Sequence, residues 1–278
     1  MGKEQMMIRL GTMTSVCPDW SIEQVIDGMQ RHGLEGLEPR AGWGHASGFE
    51  LDMPAAARDA ARAKIEDAGL KISCVATGAK FAAEDPAVLD KSIAEANAAI
   101  DLAADLGAGL IRTFGGARGK GEVFWMVNRT AEAYKRVMDH AAERGVIVMM
   151  ETHDEWCVST QVRAVVEKVN HPNLGVLWDL MHTQRYMERP EETMQTIGAM
   201  AKHLHAHDGR YDTKNGKITT VGLGEGDLDY VTPLKLLHDA GFDGFFSVEV
   251  IHKPGSNHDA DATLKAYGDG FRKIVANF

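Results

Sequence analysis

The sequence predicts a single (β/α)₈ barrel spanning residues 1–278, with its active site at the carboxyl ends of the strands. Short β-rich runs alternate with helical patterns eight times along the chain. Glycine follows the helical pattern at joints such as RHGLEGLE, DAGLKISCV and ERGVIVMME, where it supplies a left-handed helix cap before a short loop. No linker or low-complexity stretch divides the series.

The predicted elements follow one another in strict alternation. Strands are predicted near 7–13, 34–39, 71–77, 109–114, 146–152, 174–180, 203–208 and 245–250. Helices are predicted near 21–32, 54–69, 86–106, 122–144, 159–169, 190–201, 231–240 and 260–277. The first helix opens with Ser21 and Gln24, which have the spacing of a capping box. The fourth carries an apolar stripe that includes Met126, Tyr134 and Val137.

A doubly wound open sheet is the alternative architecture. Such sheets usually have fewer strands, and the chain has no GxGxxG or GxxxxGK turn. The barrel is therefore the preferred prediction.

Composition narrows the class of protein. The formal net charge is −10 over 278 residues, which argues against binding a phosphate backbone. The cysteines Cys17, Cys74 and Cys157 are scattered and form no CxxC pair, which favours a reducing compartment. No apolar run is long enough for a membrane span, and MGKEQMMIRLG does not read as a signal peptide. We expect a cytoplasmic protein with neither a nucleic-acid nor a membrane partner.

Four polar residues end four apolar runs in the second half of the chain: Glu151, Asp179, His205 and Glu249. A carboxylate at the end of a buried strand is costly unless something pairs with it. Strand alternation turns each of the three acids toward the barrel axis, at the end of an inner row that is mostly apolar. Three carboxylates and one imidazole suit one divalent metal ion, whereas a metal-free cluster of ion pairs is the alternative.

Ordered motifs extend this pattern. The chain reads ETH at 151–153, DLMH at 179–182, HAHD at 205–208, GEGD at 224–227 and VEV at 248–250. With this ordered set, the chain resembles the sugar phosphate isomerase/epimerase branch of the xylose-isomerase-like barrels over nearly its whole length.

The resemblance implies a metal site and a reaction. It implies one divalent cation, most often Mn²⁺ with Mg²⁺, Co²⁺ or Zn²⁺ as alternatives, held by Glu151, Asp179, His205 and Glu249. It also implies that Glu151 and Glu249 act as acid and base on opposite faces of a sugar. Isomerising or epimerising a keto sugar moves a proton α to a carbonyl through a metal-bound enediolate. A homodimer or homotetramer is a further expectation of the resemblance.

Substrate contacts are expected from five residues near the mouth. The resemblance implies contacts to substrate hydroxyls by His153 and His182, although His182 could instead only bond Asp179. Arg210 could bind substrate oxygens or be a solvated surface residue. The Gly-rich loop 40–53 carries Trp43 and His45 and could close over a sugar, or its aromatic residue could contact a second subunit.

Further predictions concern the other histidines and charged residues near this site. His203 is expected deeper in the barrel and His207 at its rim. A buried ion pair is expected between Arg112 and Glu38.

The predicted function is metal-dependent isomerisation or epimerisation of a keto sugar or a related polyol ketone. The main alternative is a lyase or dehydratase of the same fold, acting on an inosose, a dehydroshikimate or a 3-keto-glycoside. An abasic-site endonuclease would need a three-zinc cluster and a basic groove, and a sugar-binding protein would not need the complete ligand set. The acidic GLGEGD turn at 222–227 favours an unphosphorylated substrate.

Overall fold

A closed parallel barrel forms the centre of the molecule, which confirms the predicted fold class. The computed structural model describes residues 8–278, so residue 7 of the first predicted strand lies outside the described part. The barrel strands are β1 (Arg9–Met13), β2 (Gly36–Glu38), β3 (Lys71–Ile72), β4 (Val75–Lys80), β5 (Leu110–Phe114), β6 (Ile147–Glu151), β7 (Leu174–Asp179), β8 (Ala201–Ala206) and β11 (Phe245–Val248). Between β8 and β11, a separate hairpin is formed by β9 (Asp208–Asp212) and β10 (Lys217–Val221). Their order in the sheet is β3-β2-β1-β11-β8-β7-β6-β5-β4.

The third position of the barrel is filled by one extended stretch, 71–80, that is assigned as two strands. β3 pairs with β2 and β4 pairs with β5, so the two ends of the strand order belong to the same segment of chain. The backbone N–H of Ser73 donates to the carbonyl of Leu37, 2.8 Å away, and carries the pairing across the break. The nine strands of the barrel sheet, among the eleven assigned in residues 8–278, therefore fill eight barrel positions.

Helices cover the outside of the barrel. They are α1 (Ile22–His32), α2 (Ala55–Asp67), α3 (Pro86–Leu106), α4 (Val123–Arg144), α5 (Ser159–Val169), α6 (Leu180–Arg185), α7 (Pro190–Ile197), α8 (Val231–Asp239) and α9 (Ala260–Val275). The predicted capping box is present: Ser21 Oγ accepts from the N–H of Gln24, and the side chain of Gln24 accepts from the N–H of Ser21.

Four local features differ from the prediction. The short helix α6 was not predicted; Asp179 caps it by accepting from the N–H groups of Met181 and His182. The seventh predicted strand, 203–208, is β8 at Ala201–Ala206, and the sixth predicted helix ends at Ile197 rather than at 201. The antiparallel hairpin β9–β10 was also missed, although its turn contains Asn215 and Gly216, a pair that favours hairpin turns.

Inner and outer faces of the strands follow the predicted alternation. Inside the barrel, Cys74, Met149 and Leu177 form a separate apolar cluster. The alternating residues Val148 and Val176 belong to the large core between strands and helices. Lower in the barrel, the ring of Phe245 lies against Gly36, where an added Cβ would be 2.4 Å from Phe245 Cδ1. The polar ends of the strands thus rest on a packed apolar floor.

The helices carry no candidate membrane span. Across residues 8–278, none is long and apolar enough to cross a bilayer.

The Ser21→Ala variant should lower the free energy of unfolding by about 1 kcal/mol, because the first turn of α1 loses its side-chain acceptor. Denaturant-induced unfolding measures the change. Thr213→Ala, which alters an exposed residue in the hairpin turn, is the control and should shift stability by less than about 0.5 kcal/mol. Equal stability of the Ser21 and Thr213 variants would contradict a stabilising role for the capping box.

Candidate metal centre

The predicted ligands converge at the carboxyl ends of four strands. Glu151 ends β6, Asp179 ends β7, His205 lies one residue before the end of β8, and Glu249 directly follows β11. One donor atom from each of the four lies within 4.8 Å of the others. All four are buried, and Glu249 is the most exposed at 6%.

His205 stands between carboxylates on both sides of its ring. Its Nδ1 lies 2.9 Å from Glu151 Oε1 and 3.0 Å from Glu249 Oε2. Its Nε2 lies 3.1 Å from Glu38 Oε1. Burial disfavours the charged imidazole, but Glu249, Glu38 and Glu151 outweigh it and hold the pKa of His205 well above its ordinary value. A cation bound at Nδ1 would replace the proton that this arrangement favours.

Asp179 combines a structural contact with a place in the cluster. Its Oδ1 accepts from the N–H groups of Met181 and His182 at 2.8 and 3.0 Å, while Oδ2 lies 2.5 Å from His207 Nε2. Burial disfavours the carboxylate, but His182 and His207 outweigh it and lower the pKa of Asp179. The residue is held ionised, as a metal ligand must be.

Two carboxylate oxygens at the centre suit a cation. Glu151 Oε2 and Glu249 Oε2 are buried and, among the described residues, accept no well-aligned hydrogen bond. Their only near cationic groups within residues 8–278 are Arg112 Nε, 3.4 Å from the first, and His205 Nδ1 and His207 Nε2, 3.0 and 3.9 Å from the second. Buried carboxylate oxygens are costly without a partner. Three carboxylates and an imidazole nitrogen form a donor set that suits Mn²⁺, Mg²⁺ or Zn²⁺. The buried cluster is therefore able to hold a divalent metal ion.

Arg112 corrects one sequence prediction. It does not pair with Glu38: its Nε lies 3.4 Å from Glu151 Oε2 and its Nη2 lies 4.0 Å from Glu249 Oε1. Its Nη1 donates to the carbonyl of Thr77 at 2.8 Å. Arg112 comes from β5, so it reaches the neighbouring β6 glutamate, and its fixed positive charge offsets part of the negative charge of the centre.

Three histidine rings line one side of the centre. The His153 and His182 centroids are 4.5 Å apart, and those of His182 and His207 are 5.1 Å apart. Arg185 donates to His182 Nδ1 at 3.2 Å, so the proton of a neutral His182 ring resides on Nε2. That Nε2 is buried, 3.8 Å from Asp179 Oδ2, with no hydrogen-bond partner in residues 8–278. His182 thus bonds Asp179 through its backbone and presents a free ring N–H, which suits an oxygen ligand.

His153 carries a positive charge beside these rings. Burial disfavours this charge, but Glu151 and Asp154 outweigh it and raise the pKa of His153 to about 9. Its Nδ1 lies 3.0 Å from Asp154 Oδ1.

The loop after β2 contains Trp43 and His45. The guanidinium of Arg40 lies 4.0 Å above the Trp43 ring. His45 Nδ1 lies 2.8 Å from Thr14 Oγ1, which also accepts from the N–H of Arg40. Burial and Arg40 lower the pKa of His45 to about 4, which leaves the ring neutral. Their predicted contacts with a substrate stay predictions.

Arg210 is exposed in β9, and its Nη2 donates to the carbonyl of Glu225. It braces the acidic turn and does not join the buried cluster. Its predicted contact with the substrate stays a prediction.

Asp208 links two of the sequence motifs. Its Oδ2 accepts from the N–H groups of Gly224 and Gly226 at 2.8 and 3.0 Å. An added Cβ at Gly226 would lie 2.1 Å from Asp208 Oδ1, so the turn requires glycine there. The HAHD and GEGD motifs are therefore parts of one structural unit.

Sequence reasoning missed the role of Glu38. The residue ends β2 and is fully buried, with Oε2 2.8 Å from His203 Nε2 and Oε1 3.1 Å from His205 Nε2. Its position at the end of the second predicted strand indicated a buried carboxylate, but the sequence could not show which cationic side chain it contacts.

The fold and the cluster agree with a comparison to known families. The family described as xylose isomerase-like TIM barrel matches residues 26–271, and the chain belongs to this family.

Two relatives are similar in sequence to parts of the chain. An uncharacterized protein of Methanocaldococcus jannaschii is 34% identical over 88 residues, 31% of this chain and 28% of that protein. A ketose 3-epimerase of Arthrobacter globiformis is 28% identical over 173 residues, 58% of this chain and 56% of that protein. The similarity thus spans about a quarter and about half of these relatives.

Solved structures share the fold over nearly their full length. The IOLI protein with a binding zinc atom superposes with a TM-score of 0.80 at 18% identity, covering 98% of this chain and 99% of that one. The probable 3-DHS dehydratase AsbF of Bacillus anthracis gives a TM-score of 0.78 at 19% identity, covering 95% and 99%.

Purified protein should contain one divalent metal ion per chain, and Asp179→Ala or His205→Ala should remove it, because each deletes a converging donor. Elemental analysis after dialysis measures the content. Two adjacent residues of α8 supply matched controls, the exposed Asp239→Ala and the half-buried His238→Ala, which should retain the metal because both lie outside the cluster. Unchanged metal in both cluster variants would mean that the ligands are misassigned.

Metal affinity should rise with pH. Below the raised pKa of His205, a proton on the ring competes with the metal ion, so affinity should increase by up to about tenfold per pH unit. Titration with Mn²⁺ at a series of pH values between about 6 and about 8 measures the slope. An affinity that is independent of pH would contradict metal binding at Nδ1.

Proposed function

We propose that the protein is a metal-dependent isomerase or epimerase of a keto sugar or a related polyol ketone. The observation that carries this proposal is the pair of buried glutamates, Glu151 and Glu249, which approach one ring nitrogen of His205 at 2.9 and 3.0 Å. The ketose 3-epimerase of Arthrobacter globiformis, 28% identical over 173 residues, supports the class of substrate.

The two glutamates would exchange the proton. Each has a buried oxygen that accepts no well-aligned hydrogen bond from the described residues, so each would be able to accept a proton from a bound sugar. Burial disfavours the charged carboxylate of Glu249, but His205, His207 and Arg112 outweigh it and lower its pKa. Glu249 is therefore ionised and able to accept a proton. One of the two glutamates would take the proton, and the other would return it on the opposite face of the sugar.

Neighbouring residues would orient the substrate. The Nε2–H of His182 points into the buried cluster and suits a sugar hydroxyl. The positive charge of His153 would stabilise an oxyanion next to the reacting carbon. Trp43 and His45 would cover the sugar from the loop after β2, and Arg210 would contact it from β9.

A divalent cation in the cluster would polarise the substrate carbonyl and stabilise negative charge on its oxygens. Glu151, Asp179, His205 and Glu249 would hold it. We propose Mn²⁺ because three of the four ligands are carboxylates, a donor set that suits a harder ion. Zn²⁺ is the alternative, since the similarly folded IOLI protein has a binding zinc atom.

We also propose where in the cell the protein acts and which partners it lacks. All three cysteines are free and buried, which is consistent with the reducing cytoplasm. The net charge of −10 opposes nucleic-acid and membrane partners. Assembly as a homodimer or homotetramer stays a prediction, which light scattering would test.

Glu249→Gln should reduce turnover by at least about a thousandfold while leaving the fold intact, because an amide cannot accept the proton. Turnover is followed by NMR with manganese-loaded protein, ketoses and keto-glycosides in heavy water. Deuterium at a single carbon of the recovered sugar or of its epimer is the expected product signature. Elimination of a hydroxyl or aglycone would instead establish the lyase or dehydratase.

The matched control is Glu167→Gln, an exposed carboxylate on α5 that pairs with Arg163. It should keep full activity. A Glu249→Gln enzyme as active as this control would remove Glu249 from the mechanism.

A further inference from the structure

Glu38 spans the interior of the barrel. It ends β2, whereas its partners His203 and His205 lie on β8, with β1 and β11 between them in the sheet. Gly36, Gly11, Ser247 and His205 form one continuous row of paired residues across these four strands. Because two of these four residues are glycines and one is serine, few side-chain atoms of this row stand between β2 and β8. The side chain of Glu38 therefore reaches the histidines on β8.

The contacts of Glu38 define where the imidazole protons lie. Glu38 Oε2 is 2.8 Å from His203 Nε2 and Oε1 is 3.1 Å from His205 Nε2. An ionised carboxylate only accepts hydrogen bonds, so both rings carry a proton on Nε2. Burial disfavours the charge of Glu38, but the two histidines outweigh it and hold its pKa low.

The opposite nitrogen of each ring agrees with this assignment. His203 Nδ1 is buried and has no hydrogen-bond partner in the part of the chain that the structure describes. An unpaired lone pair costs less there than an unpaired N–H. His205 Nδ1 faces Glu151 and Glu249 at the centre of the proposed metal site.

We propose that Glu38 is a positioning residue that holds the Nε2 proton of His205 and thereby directs its Nδ1 lone pair at the metal ion. His203 keeps the Glu38 side chain in this orientation, because its Nε2–H donates to Glu38 Oε2. Ligating histidines commonly donate their other N–H to a carboxylate, and loss of that partner typically weakens metal binding 10–100-fold. The inference rests on the proposed metal site and adds a residue from the opposite wall of the barrel.

The test compares Glu38→Gln with the wild-type protein. The Mn²⁺ dissociation constant, measured by competition with a chelator, should rise about 10–100-fold at unchanged stoichiometry. Glu35→Gln is the matched control, because this exposed glutamate lies three residues earlier and should leave the constant unchanged.

A spectroscopic readout separates positioning from a general loss of stability. In zinc-loaded wild-type protein labelled with ¹⁵N-histidine, His205 should show a protonated Nε2 and a metal-bound Nδ1. In Glu38→Gln, the Nε2–H signal should exchange faster with solvent or shift, because the ring loses its charged acceptor. A merely structural role for Glu38 would leave this signal pattern intact.

His203→Asn provides a second variant if Glu38→Gln does not fold. It removes the hydrogen bond from His203 to Glu38 but keeps Glu38 beside His205, so Mn²⁺ binding should weaken several-fold. Unchanged affinity and an unchanged His205 signal in the folded variants would overturn the positioning role while the metal site stands. A wild-type protein that binds no metal would overturn the proposed function itself.

Discussion

Burial of four carboxylates in the mouth of one barrel is the constraint on which the rest of the structure depends. Glu38, Glu151, Asp179 and Glu249 are each at most 6% exposed. Removing so many anions from water costs several kcal/mol each unless cations and hydrogen bonds compensate. Arg112, the histidines in and just after β8, and the first turn of α6 supply part of that compensation. Glu151 Oε2 and Glu249 Oε2 accept no well-aligned hydrogen bond from the described residues, and a divalent cation between them would supply the remaining compensation.

The two halves of the barrel make different contributions to the centre. Strands β6, β7, β8 and β11 supply the converging donors, whereas β2 and β5 supply Glu38 and Arg112, which hold those donors in place. Support from the first half leaves the donor nitrogen and oxygens with few alternative orientations, and this preorganisation is what a metal-assisted proton transfer requires.

Sequence patterns were sufficient for the barrel and for the convergence of Glu151, Asp179, His205 and Glu249. Alternation with period two is a local property, so parity placed these side chains on the inner face, and parallel strands brought their ends together. The partner of Arg112 could not be obtained in this way. Its choice between Glu38 and Glu151 depends on the tilt and stagger of the closed barrel, which no local pattern encodes.

Motif spacing showed which residues matter near β8 but not how they act. The hairpin β9–β10 carries Arg210, an exposed residue that donates to the carbonyl of Glu225. Asp208, the acid of the HAHD motif, accepts from the N–H of Gly226 and so holds the acidic turn in place. Conversely, Glu38 lay outside every motif and touches the centre directly.

A crystal structure of the manganese-soaked protein, with anomalous diffraction, would test the metal centre most directly. We expect one anomalous peak bonded to His205 Nδ1 and to an oxygen from each of Glu151, Asp179 and Glu249, with Glu38 still bonded to His205 Nε2. A fully loaded crystal with manganese elsewhere, or with Nδ1 of His205 bonded only to the glutamates, would contradict the account.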